Sequence, residues 1–129
     1  MPADPHRGDR GRPLRVLIVD DHELFREAAR RVLLASGFDV VPDAVDGADA
    51  VRLVAELHPD VVLLDVQLPD ADGFQVAREL VRGPRPPTVV LVSSRSKSDY
   101  GGLVERSGVS GFIGKADLSG DRLRQELAG

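Results

Sequence analysis

The chain contains no cysteine, which excludes disulfides, thiolate metal sites and cysteine nucleophiles. It has no apolar run near the roughly 20 residues that a membrane-spanning helix needs. Its start lacks the basic and apolar blocks of a signal peptide, so a cytoplasmic location without membrane contact is the expectation. Positive charge is not in excess either. Lysine and arginine total 17 against 21 aspartate and glutamate, for a formal net charge of −4 and a pI of about 5.3. That balance offers no electrostatic footprint for direct nucleic-acid binding. What is present is ordinary for a globular chain: 129 residues, 42% hydrophobic and 29% charged, enough for one domain with one core.

Residues 1–13 hold Pro2, Pro5, Gly8, Gly11 and Pro13 with mixed charges and almost no apolar side chains. This predicts a disordered tail, a short arm that docks on a partner being the other reading. Residues 14–129 are expected to fold. From Leu14 onward, apolar runs of strand length alternate with segments of helical spacing. Residues 14–19, 61–66, 88–92 and 109–114 read as strands, with 38–41 a shorter and weaker one. The run over 14–19 is apolar except for Arg15, as suits a strand covered on both faces. Leu24, Phe25, Ala28, Ala29, Val32 and Leu33 recur at helical spacing, and Gly37 ends that helix. Helices are also predicted over 48–57, over 74–81 with Gly83-Pro84 closing it, over 100–106 with Gly101-Gly102 weakening it, and over 118–127. Strict alternation implies an α/β fold, a doubly wound parallel five-stranded sheet with helices on both faces.

Charged and hydroxyl side chains stand where these strands end. Asp20 and Asp21 follow Leu14-Arg15-Val16-Leu17-Ile18-Val19, Asp65 follows Val61-Val62-Leu63-Leu64, Ser93 follows Val90-Leu91-Val92, and Lys115 follows Gly111-Phe112-Ile113-Gly114. A carboxylate ending a buried strand is costly to desolvate unless something compensates it. In an open parallel sheet, ligands bind outside the carboxyl ends of the strands at the switch point, so these residues are expected to share one pocket. Carboxylates packed together raise one another's pKa, and a hard divalent cation relieves the repulsion. Oxygen-only ligands favour Mg²⁺ over Zn²⁺, and Mg²⁺ commonly shares its remaining positions with phosphate oxygens.

Asp65 then reads as a nucleophile toward a phosphoryl donor. Lys115 supplies a neutralising ammonium, and Ser93 a hydroxyl that can donate to a phosphoryl oxygen. Plainer readings stand beside these. Asp20 or Asp21 could cap the first helix, Asp65 could open a solvated loop as Asp70 and Asp72 do, Lys115 could lie on the surface, and Ser94 could take the place of Ser93 through a one-residue slip. Phe112 could be plain core. His22 reads as a helix-start residue, since imidazole suits softer metals than Mg²⁺. Pro69 and Gly73 are expected to shape the loop after Asp65.

Four segments together resemble the receiver domain of bacterial two-component response regulators. They are Val-Leu-Ile-Val-Asp-Asp-His at 16–22, Asp-Val-Val-Leu-Leu-Asp-Val-Gln-Leu-Pro-Asp-Ala-Asp-Gly-Phe at 60–74, Val-Leu-Val-Ser-Ser at 90–94 and Gly-Phe-Ile-Gly-Lys at 111–115. The resemblance runs from about Leu14 to Leu127 and implies a flavodoxin-like (βα)5 fold with strand order 2-1-3-4-5. It implies that Asp65 takes a phosphoryl group from a phosphohistidine of a sensor histidine kinase. Asp21 and Asp65 would hold Mg²⁺, with Asp20 acting through water and the backbone carbonyl of Gln67 completing the protein ligands. It places Ser93 and Phe112 at the switch hydroxyl and switch aromatic positions. The Asp20-Asp21-His22 start and the non-proline residue after Lys115 look most like receivers of regulators with a helix-turn-helix output domain. Gln67 and Arg95 occupy positions that tune the lifetime of the phosphoaspartate.

Signalling would then run through the surface of the fourth helix, fifth strand and last helix, to an output domain or partner protein in transcriptional regulation, with a homodimer left open. The glycine pair makes the fourth helix the expected mobile element. One departure matters: Ala116 follows Lys115 where the family usually has a cis proline. A cis bond without proline costs about 3–4 kcal/mol, so the bond is either trans or held under strain. Two other functions compete. One is a receiver-like interaction domain that is never phosphorylated. The other is an aspartyl-phosphate phosphatase of the haloacid-dehalogenase type, which such an Asp-x-Asp pattern would favour but Gln67 does not match. The expectation is a phosphoacceptor with self-catalysed transfer and dephosphorylation, not a turnover enzyme.

Overall fold

Five parallel strands in the order β2-β1-β3-β4-β5 form the sheet of the computed structural model, which describes residues 12–128. In chain order the elements are β1 (Arg15–Val19), α1 (Glu23–Ala35), β2 (Asp39–Val40), α2 (Gly47–Leu57), β3 (Val61–Asp65), α3 (Gly73–Val81), β4 (Thr88–Ser93), α4 (Leu103–Arg106), β5 (Gly111–Gly114) and α5 (Gly120–Ala128). This is the flavodoxin-like topology expected. Of the tail expected over residues 1–13, only Arg12 and Pro13 fall among the described residues, and both are exposed.

Side chains alternate across a strand, and the core divides accordingly. Leu17, Val19, Val62, Leu64, Val89, Leu91 and Phe112 point to one face, against Ala50 and Leu53 of α2, Phe74, Val76, Ala77 and Leu80 of α3, and Val104 of α4. Val16, Ile18, Val61, Leu63, Val90, Val92 and Ile113 point to the other, against Ala29 and Leu33 of α1 and Leu123 of α5. With both faces covered, the strands need no polar side, which is why β1 and β3 are near-continuous apolar runs. Each fully buried Leu, Ile or Val contributes about 1.5–3 kcal/mol by leaving water.

Element ends differ slightly from expectation. β2 keeps two residues, although Val41 continues the pairing by donating to the Val16 carbonyl at 3.0 Å. β5 begins at Gly111, not 109, and β4 runs through Ser93. The larger correction concerns the fourth helix. The helix expected over 100–106 is split: Lys97–Tyr100 forms a 3₁₀ turn under a Ser96/Asp99 capping box, and α4 proper is one turn, Leu103–Arg106. Gly101 between them has φ +59°, outside any helical continuation. Tyr100 therefore lies outside α4.

The outer edge of β5 is tied to α5. The Phe112 N–H donates to Glu126 Oε1 at 2.8 Å, and its carbonyl accepts from Arg122 at 3.4 Å.

Candidate functional site

β1 has neighbours on both sides, β2 and β3, so the chain leaves the sheet in opposite directions there and opens a crevice at the carboxyl ends of β1 and β3. Asp20 and Asp65 line it. Asp20 follows β1 and is fully buried; its backbone N–H donates to Ala44 at 3.1 Å. Asp20 Oδ1 accepts from the His22 N–H at 2.8 Å, while Oδ2 lies 2.6 Å from Lys115 Nζ. Beyond that ammonium, Oδ2 has no partner among the described residues. Asp65, the last residue of β3, is 3% exposed. Its Oδ1 accepts from the Gln67 N–H at 3.1 Å, and Lys115 Nζ donates to its Oδ2 at 3.2 Å. Asp21 is partly exposed at the rim.

Lys115 follows β5 and reaches across β4 and β3 to bridge the two aspartates, its ammonium passing over the Phe25 ring at 4.7 Å. No peptide bond among the described residues is cis, so Lys115–Ala116 is trans and the lysine still arrives. Burial works against the charged lysine, but the carboxylates of Asp20 and Asp65 outweigh it and raise its pKa above 10.5. The Asp65 carboxyl is pushed above 3.8, first by burial and then by the charge of Asp20, against the opposing pull of the Gln67 N–H and of Lys115.

Ser93 ends β4 and is buried, whereas Ser94 is exposed, so the register puts Ser93 in the pocket. Its Oγ accepts from the Arg95 N–H at 3.0 Å and lies 2.5 Å from the Tyr100 hydroxyl. Phe112 is buried on β5, with its ring 6.0 Å from that of Tyr100. Gln67 and Arg95 are exposed at the rim.

Carboxylate oxygens of Asp20, Asp21 and Asp65 and a ring nitrogen of His22 lie within 4.8 Å of one another. Three carboxylates face one ammonium there, and a cation would correct the imbalance. The fit is good: two of the acids are buried, Asp20 Oδ2 has spare capacity, and the three carboxylates offer only hard oxygen donors. His22, read from the sequence as a helix-start residue, is the N-cap position of α1, but its Nδ1 also turns toward Asp20 at 2.9 Å. Neither Asp20 nor Asp21 caps α1 through its side chain.

In the loop after β3, Asp70 is an exposed acid, as expected, with a structural task besides: its carboxylate accepts from the N–H groups of Gly47 and Ala48 at 2.7 and 3.0 Å, capping α2 from a distance. Those two bonds hold its carboxyl below 3.8. Asp72 caps α3 through the Phe74 N–H at 2.8 Å. Gly73 lets α3 begin against the site. A Cβ there would lie 2.4 Å from the Asp65 carbonyl oxygen and 2.6 Å from Val66 Cα, both backbone atoms.

The profile of the response regulator receiver domain matches residues 16–128. The chain is 35% identical over 111 residues to the transcriptional regulatory protein DegU of Brevibacillus brevis, covering 85% of this chain and 47% of DegU. It is 40% identical over 119 residues to protein-glutamate methylesterase/protein-glutamine glutaminase 5 of Myxococcus xanthus, covering 91% of this chain and 34% of that protein. It thus spans about half or less of these curated relatives. Among solved structures, a LuxR-family two-component response regulator from Aurantimonas sp. SI85-9A1 superposes with a TM-score of 0.79 at 29% identity, covering 89% of this chain and 85% of that one.

Proposed function

The chain belongs to the response regulator receiver domain family, and from that premise we propose that it is a phosphorylation switch in which Asp65 accepts a phosphoryl group from a phosphohistidine of a sensor histidine kinase. One observation carries the reading: the Lys115 ammonium stands 3.2 Å from Asp65 and 2.6 Å from Asp20, inside the crevice at the strand ends. A carboxylate needs no base to become a nucleophile, so positioning and charge neutralisation are what the protein must supply.

An Asp65 oxygen attacks phosphorus, the N–P bond breaks, and its electrons return to the imidazole of the donor. The Gln67 N–H holds Asp65 Oδ1 and so fixes the carboxylate plane. Lys115 shifts its contact from Asp65 to the incoming phosphoryl oxygens, and Ser93 donates its hydroxyl to one of them. Asp20, Asp21 and Asp65, with the Gln67 backbone carbonyl, would hold Mg²⁺, which supplies charge neutralisation for the transferred group. Gln67 and Arg95, exposed at the rim, govern the entry of the water that later hydrolyses the acyl phosphate.

The added charge, about two negative units, draws Ser93 and frees Phe112 to move. The readout is the surface of α4, β5 and α5, addressed to an output domain or partner protein in transcriptional regulation, as the name of DegU indicates for that relative. The protein acts in the cytoplasm as a phosphoacceptor; no helix among the described residues is long and apolar enough to cross a membrane.

The test is incubation with acetyl phosphate and Mg²⁺ followed by intact mass. Wild type gains one phosphoryl mass and Asp65→Asn gains none; a folded wild type that gains none under conditions where it binds Mg²⁺ sinks the reading.

A further inference from the structure

We propose that Tyr100 is a positioning residue for Ser93: its hydroxyl holds the Ser93 hydroxyl in the unphosphorylated pocket and releases it when Asp65 is phosphorylated. This rests on Asp65 as the phosphoryl acceptor and adds the element that restrains it.

Ser93 Oγ carries one proton and two lone pairs. The Arg95 N–H occupies one lone pair at 3.0 Å, and the Tyr100 hydroxyl, at 2.5 Å, takes either the other or the proton. With Ser93 as the donor, its one proton is committed to Tyr100, and to serve a phosphoryl oxygen Ser93 must turn away from Tyr100 at the cost of that bond. With Tyr100 as the donor, Ser93 keeps its proton, but the rotation of its hydroxyl is held by the two bonds it accepts.

Tyr100 is built into the core side of the sheet, not free to follow. Its ring meets Phe74 edge-on, with centroids 5.4 Å apart and planes at 69°, and lies 6.0 Å from Phe112 at 56°. Phe74 belongs to the first turn of α3, whose start lies against the Asp65–Val66 backbone. Phe112 belongs to β5. One side chain therefore joins the hydroxyl at the pocket to α3 and β5. The backbone just beyond it is Gly101 at φ +59°, a conformation that L side chains rarely adopt, so the turn ends at Tyr100. Loss of the Ser93 bond leaves the ring held by packing alone.

The chain has one tyrosine and no tryptophan, so its tyrosine emission reports Tyr100 alone. The experiment uses the full chain, with beryllium fluoride and Mg²⁺ as the phosphoryl mimic for emission and acetyl phosphate with intact mass for rates. Wild-type emission changes on loading; Ser93→Ala emission does not. Tyr100→Phe, which keeps the ring, is phosphorylated about five-fold faster at low acetyl phosphate, the factor expected for one released neutral hydrogen bond. Combined with Ser93→Ala, Tyr100→Phe gives no further gain. A Tyr100→Phe rate equal to wild type, a gain that persists without Ser93, or unchanged wild-type emission on a chain that mass shows to accept phosphoryl groups, overturns the assignment of Tyr100 alone. A purely structural tyrosine would lower Tm without raising the rate. A wild type that takes up no phosphoryl group at all defeats the Asp65 reading, and this one with it.

Discussion

Asp65 sits almost fully buried, and the one ammonium opposing its charge is shared with Asp20. Burial and the Asp20 charge raise its pKa, so the folded chain binds its proton more readily than the unfolded chain. Stability of the metal-free protein then falls as pH rises from 3.8 through the raised value, because the folded state must give up a proton it favours. Asp65→Asn removes that loss. In EDTA at neutral pH, its Tm is expected above that of wild type, and its stability is flatter as pH rises from 3.8; thermal melts in both proteins check this. Lys115 carries the opposite dependence: its raised pKa gives a contribution complete below 10.5 and lost as pH climbs through the folded value. Lys115→Met leaves Asp20 and Asp65 unopposed and is expected to destabilise the metal-free protein, with Mg²⁺ restoring more stability to it than to wild type in the same melts.

At the scale of elements, the contact between β3 and α3 is the least forgiving. Gly73→Ala puts a methyl group into the backbone of Asp65 and Val66 and should cost about 1–3 kcal/mol in urea unfolding, as overpacking does. The 97–106 segment is the most yielding. It consists of a 3₁₀ turn, two glycines and one helical turn, so its amides should exchange faster than those of α3. Equal protection, with and without beryllium fluoride, would contradict a mobile readout there. This segment also shows where the sequence stops being informative. Apolar runs ending in charge make Asp20, Asp65 and Lys115 visible, because a buried strand leaves few reasons for a terminal carboxylate. Tyr100 is invisible by the same logic. Helical spacing places it inside a helix, whereas in the fold it ends a separate 3₁₀ turn and meets Ser93. Asp70 is likewise legible as a loop acid, while its task of capping α2 depends on a neighbour 23 residues away.

For the whole molecule, the strand order is what makes one pocket of residues drawn from β1, β3, β4 and β5. A cation there binds the folded chain alone, because the unfolded chain separates Asp20 from Asp65. Mg²⁺ at about 100 times its Kd should therefore stabilise by about 2.7 kcal/mol, read as a rise in Tm that EDTA reverses and that Asp20→Asn with Asp65→Asn abolishes.

The two margins of the sheet have a consequence for association. A strand with free N–H and carbonyl groups is a template on which another chain can pair. Here β2 offers only two residues, and on β5 the outward N–H and carbonyl of Phe112 are already taken by Glu126 and Arg122. A visiting strand finds little of β2 to pair with, and on β5 it would first have to displace Glu126 and Arg122 of α5. Among the described residues, growth of the sheet from one copy to the next is therefore disfavoured.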